Sequence, residues 1–310
     1  MNRTLPGLLL LLGCCAVVES EDSQDPPPPL PQKTTTEEFN LRFGTEDHFE
    51  VVTWNIETFP KHERTVEFAA RCILGLRPDI LAIQEVWSEE ALHQLADRLP
   101  GYGLSIPPDL ATTGLAFLYR RDTVSLIQTP SQILLEDNYS FSYRPPFVLK
   151  ILFGDEELIL VNLHLKCCGD GLIGTDYWDE ELRREKSVLA LKDHIEENWS
   201  EEAVIVLGDW NDSLTDMPHH NVFRAFTEDP THYQFVDRNI AEGPSSNWSF
   251  PYYPSHIDHI LITNELFDAF ESSESQAQTL RLESLFPGGL DEYWSYLSDH
   301  RPTGMRLKFP

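Results

Sequence analysis

The sequence predicts a layered α/β fold with mixed or antiparallel sheets. Three observations carry that prediction. Strands come in runs with helices between only some of them, which is not the strict alternation of a purely parallel sheet. The segments 80–83 and 203–207 are continuous apolar runs, as expected of strands buried on both faces. The longest helical segment carries a single apolar stripe.

The elements follow in chain order. Residues 49–56 are rich in β-formers and read as the first strand. Residues 62–76 read as a helix with Val66, Ala69, Ala70, Ile73 and Leu74 on one face, ended by Pro78. The apolar strand 80–83 follows, and residues 88–99 form a second helix closed by Pro100-Gly101. Segments 115–119 and 124–128 read as strands paired around Arg120-Arg121-Asp122, and 147–153 and 158–165 as a pair turned by Gly154-Asp155. After a Gly-rich loop at 169–175, a helix of about residues 179–199 puts Val188, Leu191, Ile195 and Trp199 on one stripe. Strand 203–207 runs into Gly208-Asp209, and segments 257–263, 277–284 and 303–309 complete the set. There is no internal repeat.

The N-terminus reads as a targeting segment, residues 1–18. Arg3 supplies a positive n-region, and the apolar run centred on 8–12 is too short to span a bilayer. Leu11-Leu12-Gly13-Cys14 resembles a bacterial lipobox with Cys14 as the lipidated residue; the alternative is an ordinary signal peptide cut a few residues later. Residues 19–45 read as an acidic, Pro-rich tether that buries too little apolar surface to offset its ordering entropy. A domain at 46–310 remains. The expected location is outside the cytoplasm, as a membrane-anchored lipoprotein or a periplasmic or secreted protein. A monomer is expected, and the sequence points to no protein partner.

The formal net charge of −28 opposes long-range attraction to nucleic acid, so a polyanionic substrate must be captured locally. A divalent metal can do that, because its charge dominates its surroundings. Of the five cysteines, Cys14 and Cys15 belong to the leader. Cys72 reads as a small buried hydrophobe on a helix. Cys167-Cys168 could form a vicinal bridge in an oxidising compartment; too few cysteines remain for a disulfide framework.

Polar residues sit where the strands end: Asn55, Glu85, His164, Asp209, Asp258 and Asp299-His300. Side chains at strand ends converge on one rim, a usual place for a site on rigid elements. Each has a plainer reading alone. Asn55 could cap a turn, Glu85 the following helix, Asp209-Trp210-Asn211 could be an Asx turn, and His164 a core histidine.

Together, the motifs Trp54-Asn55-Ile56-Glu57, Ile83-Gln84-Glu85-Val86, Asn162-Leu163-His164, Gly208-Asp209-Trp210-Asn211, His256-Ile257-Asp258-His259-Ile260 and Ser298-Asp299-His300-Arg301-Pro302 resemble the successive motifs of the endonuclease/exonuclease/phosphatase superfamily. The resemblance spans about residues 49–309. It implies a four-layered α/β sandwich, two packed mixed β-sheets flanked by helices. It also implies a metal site of Glu85 with Asn55, Asp299 and Glu57, holding Mg2+ or Mn2+. Asp209 and Asn211 would position or activate water, and His300, oriented by Asp258, would take or stabilise charge at the scissile phosphate. His164 matches a histidine used near the leaving oxygen.

Tyr143-Arg144-Pro145-Pro146 resembles the phosphate-gripping segment of pancreatic-type deoxyribonuclease, which makes Arg144 a candidate phosphate ligand. The sequence departs from that enzyme at two places. Thr113 stands where a glutamate pairs with the histidine matching His164, and Glu57 stands in place of an arginine. The leading functional expectation is an exported endonuclease acting on DNA. The alternatives are a phosphoesterase acting on a phospholipid headgroup or small phosphate ester, with the aromatic stretch 248–253 facing a membrane or stacking on bases, and an inactive surface-binding module.

Overall fold

The computed structural model describes residues 41–309. The leader, Cys14 and the stretch up to residue 40 lie outside the described residues. Among the described residues, no helix is long and apolar enough to cross a membrane.

The first strands are β1 (Phe49–Phe59), β2 (Ile80–Val86), β3 (Tyr102–Ser105), β4 (Ala116–Arg120), β5 (Val124–Leu126) and β6 (Ser131–Gln132). They are followed by β7 (Phe147–Phe153), β8 (Glu156–His164), β9 (Val204–Asp209), β10 (Tyr233–Phe235), β11 (Asp258–Thr263), β12 (Gln276–Thr279) and β13 (Thr303–Leu307). One sheet has the order β12-β13-β1-β2-β4-β3, the other β10-β11-β9-β8-β7-β5, with β6 added beside β7. Both sheets are mixed: β1–β2 and β8–β9 are parallel, and the other pairs antiparallel.

The two-residue side-chain period of a strand explains the layers. Phe49, Val51, Ile80, Ala82, Phe117, Met305 and Leu307 of the first sheet meet Leu149, Ile151, Leu160, Ile205, Leu207, Ile260 and Ile262 of the second in one buried cluster. The intervening residues of the second sheet, Ile159, Val161, Leu163, Val204 and Val206, pack with Val188, Leu191, Ile195 and Trp199 from the segment that holds α4 (Glu180–Asn198). In the first sheet Val52, Trp54, Leu81, Ile83 and Leu118 face the other way and are equally buried. The helix α1 (Thr65–Leu76) makes the crossover between β1 and β2 and buries Phe68, Ala69, Cys72, Ile73 and Leu76. The helix α2 (Glu89–Asp97) follows β2, with Ser88 capping its N-terminus by accepting from Ala91 N.

Three expectations change. The segments 115–119 and 124–128 do not pair with each other: β4 lies between β2 and β3, whereas β5 joins β7 in the opposite sheet. A short connection can cross between stacked sheets as well as turn within one, and apolar pattern does not distinguish the two. Leu74 is 46% exposed, and Leu76 takes its place in the buried face of α1. The 277–284 segment ends as a strand at Thr279 and continues as a 3-10 turn, Leu282–Leu285.

One buried polar group lies at the end of β1 opposite the rim described below. Glu50 accepts from Thr45 N and Thr45 Oγ1, its own N–H donates to Asp79 Oδ2 at 2.9 Å, and its Oε2 has no partner. Burial, and then the neighbouring Asp79, push Glu50 from 4.5 up to about 8. A carboxyl raised on folding contributes stability that is fully present below its unfolded pKa and is lost as pH rises through the folded one. Glu50→Gln, a permanently neutral donor, should therefore flatten the fall in stability between those two values. Urea unfolding at a series of pH values checks this; equal slopes in the parent and the variant would refute it.

Candidate active site

The site lies where strand ends of the two sheets meet. In the second sheet His164 (β8) is paired with Asp209 (β9), and Asp209 with Asp258 (β11), so three adjacent strands present these side chains side by side. Glycine at 208 makes this possible. A Cβ there would lie 2.0 Å from the Leu163 carbonyl oxygen, so any other residue would force β8 and β9 apart beside Asp209. In the first sheet Asn55 and Glu85 lie near the ends of β1 and β2, where the register shifts between Asn55 and Phe59. Glu57, Thr58, Glu85 and Asn211 all have positive φ, between 43° and 62°. That is an uncommon conformation for side-chain-bearing residues, and its clustering at one rim is typical of a site that holds backbone strain.

A bonded network ties the sheets together. Asn55 Nδ2 donates to Glu85 Oε1 at 3.1 Å and to Asp209 Oδ2 at 2.9 Å, while Asn55 Oδ1 accepts from Glu57 N. Glu85 Oε2 accepts from Thr58 N at 2.9 Å. Beneath them Gln84 Nε2 donates to Asn162 Oδ1 at 2.7 Å, and Asn162 Nδ2 to the carbonyls of Ile83 and Ala116. These buried amides are satisfied across the inter-sheet core, which makes them a rigid floor for the site.

His300 Nδ1 lies 2.8 Å from Asp258 Oδ2, with the Phe250 ring against the imidazole at 4.7 Å between centroids. Its Nε2 faces Asp209 and Asp299 at 4.0 and 3.9 Å. Burial favours a neutral ring, but Asp258 foremost, then Asp209 and Asp299, lift His300 to about 10. Burial, then Asp258, pushes Asp209 up to about 7 against the pull of His300 and Asn55. Burial also raises Asp299 to about 6, helped by Glu57 and Glu85 and opposed by His300. His164 sits 3.5 Å from Asp209 Oδ2; burial, with Arg144 and His300 nearby, holds it well below 6.5. At neutral pH the site thus has one charged and one neutral imidazole.

The remaining expected residues are placed as follows. Asn211 N donates to Asp209 Oδ1, and its Nδ2 to the Leu165 carbonyl. Glu57 accepts from Lys61 Nζ, Trp294 Nε1 and Asp299 N, and so braces the Asp299 loop. Arg144 spends Nε on the His164 carbonyl and Nη2 on that of Leu165, leaving Nη1 without a partner among the described residues. Thr113 does not meet His164: its hydroxyl donates to the Asp109 carbonyl in a short helix, Leu110–Thr113, and Asp209 is the carboxylate at His164. In the aromatic stretch, Phe250 packs on His300 and Tyr252 on Trp294, while Tyr253 is 74% exposed.

Sequence reasoning assigned no role to the residues that hold Asp258 and His300. Ser249 Oγ accepts from the Ile257 and Asp258 amides, and Ser298 Oγ accepts from His300 N and donates to the Asn55 carbonyl at 2.6 Å. Behind them, Asp237 Oδ2 lies 2.9 Å from His256 Nε2 and 2.6 Å from His259 Nδ1. His259 Nε2 faces the Asp212 carbonyl at 3.0 Å. With acceptors on both sides, His259 carries both ring protons, and every ring nitrogen of the group is committed, since His256 Nδ1 accepts from Ser249 N. Asp237, His256 and His259 therefore form a bonded support and offer no free ligand atom. Ser249 is a common residue outside every motif, so no sequence signal singles it out; the motifs at 256–260 and 298–302, which hold the histidines and Ser298, were the available clue.

A metal fits the other end of the site. Glu85 and Asp299 are oxygen donors of the kind that hard divalent cations prefer. Asp299 Oδ1 is buried without a hydrogen-bond partner, an arrangement that a cation would relieve.

The family model described as "Endonuclease/Exonuclease/phosphatase family" matches residues 52–300, from β1 to His300. No curated protein matches the chain significantly in sequence. Solved structures with a similar fold include D. rerio TDP2 complexed with single strand DNA product, at 13% identity and TM-score 0.59, covering 85% of this chain and 100% of that one. TDP2 from C. elegans has 15% identity and TM-score 0.59, covering 84% of this chain and 75% of its own. The mannosyl-6-phosphatase of Bacteroides thetaiotaomicron has 16% identity and TM-score 0.56, covering 84% of this chain and 100% of its own. At these identities the likeness is one of fold.

Proposed function

Because the chain belongs to the Endonuclease/Exonuclease/phosphatase family, we propose that it is a divalent-metal-dependent phosphodiesterase that cleaves DNA. The observation that carries this reading is the meeting of Glu85 and Asp299 with His164, Asp209, Asp258 and His300 at one rim. Magnesium or manganese, held by Glu85 and Asp299, would neutralise a non-bridging phosphate oxygen.

The protein's own groups do the rest. Asp209 holds the attacking water and takes its proton, a role suited to a carboxyl raised to about 7. Asn211 fixes that carboxylate through its backbone N–H. His300, kept protonated by Asp258, stabilises negative charge gathering on the phosphate. Neutral His164 hydrogen-bonds beside it, and Arg144 Nη1 holds a flanking phosphate.

Similarity to a mannosyl-6-phosphatase supports a second reading, hydrolysis of a small phosphate ester. One panel separates the readings: plasmid DNA, sphingomyelin, a sugar phosphate and bis-p-nitrophenyl phosphate, each with and without magnesium. Cleavage of DNA and the minimal diester is expected. A chain that spares DNA while cleaving sphingomyelin or the sugar phosphate would overturn the substrate assignment. Within the same panel, Arg144→Ala should raise KM for DNA more than for the minimal diester, which lacks a flanking phosphate. An equal effect on both would place Arg144 at the scissile group or in the fold, where its two backbone bonds already tie it.

A further inference from the structure

The loop that leaves β8 carries Cys167 and Cys168, both exposed and both free. Adjacent residues in an extended strand point their side chains to opposite faces, so two neighbouring sulfurs meet only where the chain turns. It turns here: Cys168 has φ 72°, a region side-chain-bearing residues seldom adopt, and the two Sγ atoms lie 2.9 Å apart. The turn is held from both sides. Arg184 Nη1 donates to the carbonyls of Lys166 at 2.6 Å and Cys168 at 2.8 Å. Just upstream, the Leu165 carbonyl accepts from Arg144 Nη2 and Asn211 Nδ2. The clamp leaves the two thiols facing each other in solvent, next to residues of the rim.

We propose that Cys167 and Cys168 are a reversible modification site, which a small-molecule disulfide closes into a vicinal disulfide, and that closure is felt at Leu165. Cys168 donates its S–H to Cys167, and Lys166 Nζ lies 3.7 Å from the Cys167 sulfur. Both contacts converge on Cys167, which is therefore the attacking sulfur. Its thiolate attacks the small disulfide, forming a mixed disulfide and releasing one small thiol. The Cys168 thiolate then attacks the Cys167 sulfur of that adduct, forming the protein bridge and releasing the second thiol. Two protein thiols lose two electrons and two protons; one small disulfide gains them. Cys72, buried in α1 with its thiol pushed up to about 12 by burial, takes no part. The bridge closes a small ring through the Cys167–Cys168 peptide and resets its torsions, so the carbonyls that Arg184 and Arg144 hold shift with it.

The test is intact-mass analysis of the full chain after incubation with glutathione disulfide, followed by amide hydrogen exchange. The parent should lose the mass of two hydrogen atoms and regain it with dithiothreitol. Cys168→Ser, which keeps the attacking sulfur and lacks the resolving one, should accumulate a glutathione adduct, whereas Cys167→Ser should stay largely unmodified. Amides from Leu165 to Gly171, and that of Asn211, should exchange several-fold differently in the bridged and reduced proteins. On the phosphodiesterase reading alone, bridging should also raise KM for DNA several-fold, while both serine variants keep the activity of the reduced parent. Stable glutathione adducts in the parent, or covalent dimers in place of the internal bridge, would overturn the modification. A bridge with unchanged exchange at Leu165 and Asn211 would overturn the coupling. Neither outcome depends on catalysis, so both are separate from failure of the functional reading.

Discussion

Replacing Glu85 by alanine should lower kcat/KM at least about 10³-fold, roughly 4 kcal/mol of transition-state stabilisation, while the protein stays folded. The two halves of that expectation rest on different physics. The functional half follows from position: Glu85 is half-buried, its oxygens accept among the described residues from Asn55 Nδ2 and Thr58 N alone, and it faces the rim that Asp209 and Asp299 share. Removing it leaves the metal end with one fewer anion. The structural half follows from a balance. Two hydrogen bonds are lost, each worth about 1 kcal/mol net, but a negative charge is also taken from beside Asp209 and Asp299, whose carboxyls burial raises most and Glu85 raises further. Circular dichroism and a thermal melt, run beside the assay, separate the two. A variant that loses activity only in proportion to its folded fraction would make Glu85 a structural residue.

His300→Ala should cost more rate than His164→Ala, with a loss of about 10²–10⁴-fold at His300. The reason lies in charge state. His300 is anchored by Asp258 at 2.8 Å and raised to about 10, so it is an oriented imidazolium across the neutral range. His164 is buried beside Arg144 and His300 and held neutral. A cation aimed at a phosphate gains strength as charge develops in the transition state, whereas a neutral ring contributes only a hydrogen bond. His300→Gln should recover little, because an amide keeps a donor and loses the charge. Asp258→Asn should follow His300→Ala in direction, since it removes the partner that keeps the ring charged. Equal losses at the two histidines, or a larger one at His164, would mean that the neutral ring carries the chemistry.

Much of this site was legible in the sequence because its residues end buried strands. The apolar runs before Glu85 and Asp209 mark β2 and β9, and the polar residue that breaks each run had to emerge at a sheet end. Asp258 opens β11 at the same rim, while Asn55 lies inside β1 and His300 in the loop before β13. What could not be read is how the carboxylates and amides share partners. The resemblance implied a metal role for Glu57; its carboxylate meets Lys61, Trp294 and the Asp299 amide, and those partners depend on loop geometry that no spacing encodes. The same holds for Thr113, which an alignment of strands put beside His164 and which the short helix before β4 turns onto Asp109. The mistaken pairing of the segments that became β4 and β5 has a related cause. Apolar pattern fixes which face of a strand is buried, but not which of two stacked sheets it joins. Ser249 and Asp237 were invisible for a simpler reason: they lie outside every motif, they brace other residues through hydrogen bonds, and their residue types are equally at home in any turn.

If Glu85 and Asp299 hold a divalent cation, phosphodiester hydrolysis depends on it. The most direct test of this dependence is the rate of bis-p-nitrophenyl phosphate hydrolysis by the purified chain, measured first as prepared, then in excess EDTA, then after magnesium or manganese is restored. Chelation should abolish the rate, either metal should restore it, and Glu85→Ala should stay inactive under every condition. Undiminished hydrolysis in EDTA would contradict this assignment, and so would full activity in the Glu85 variant.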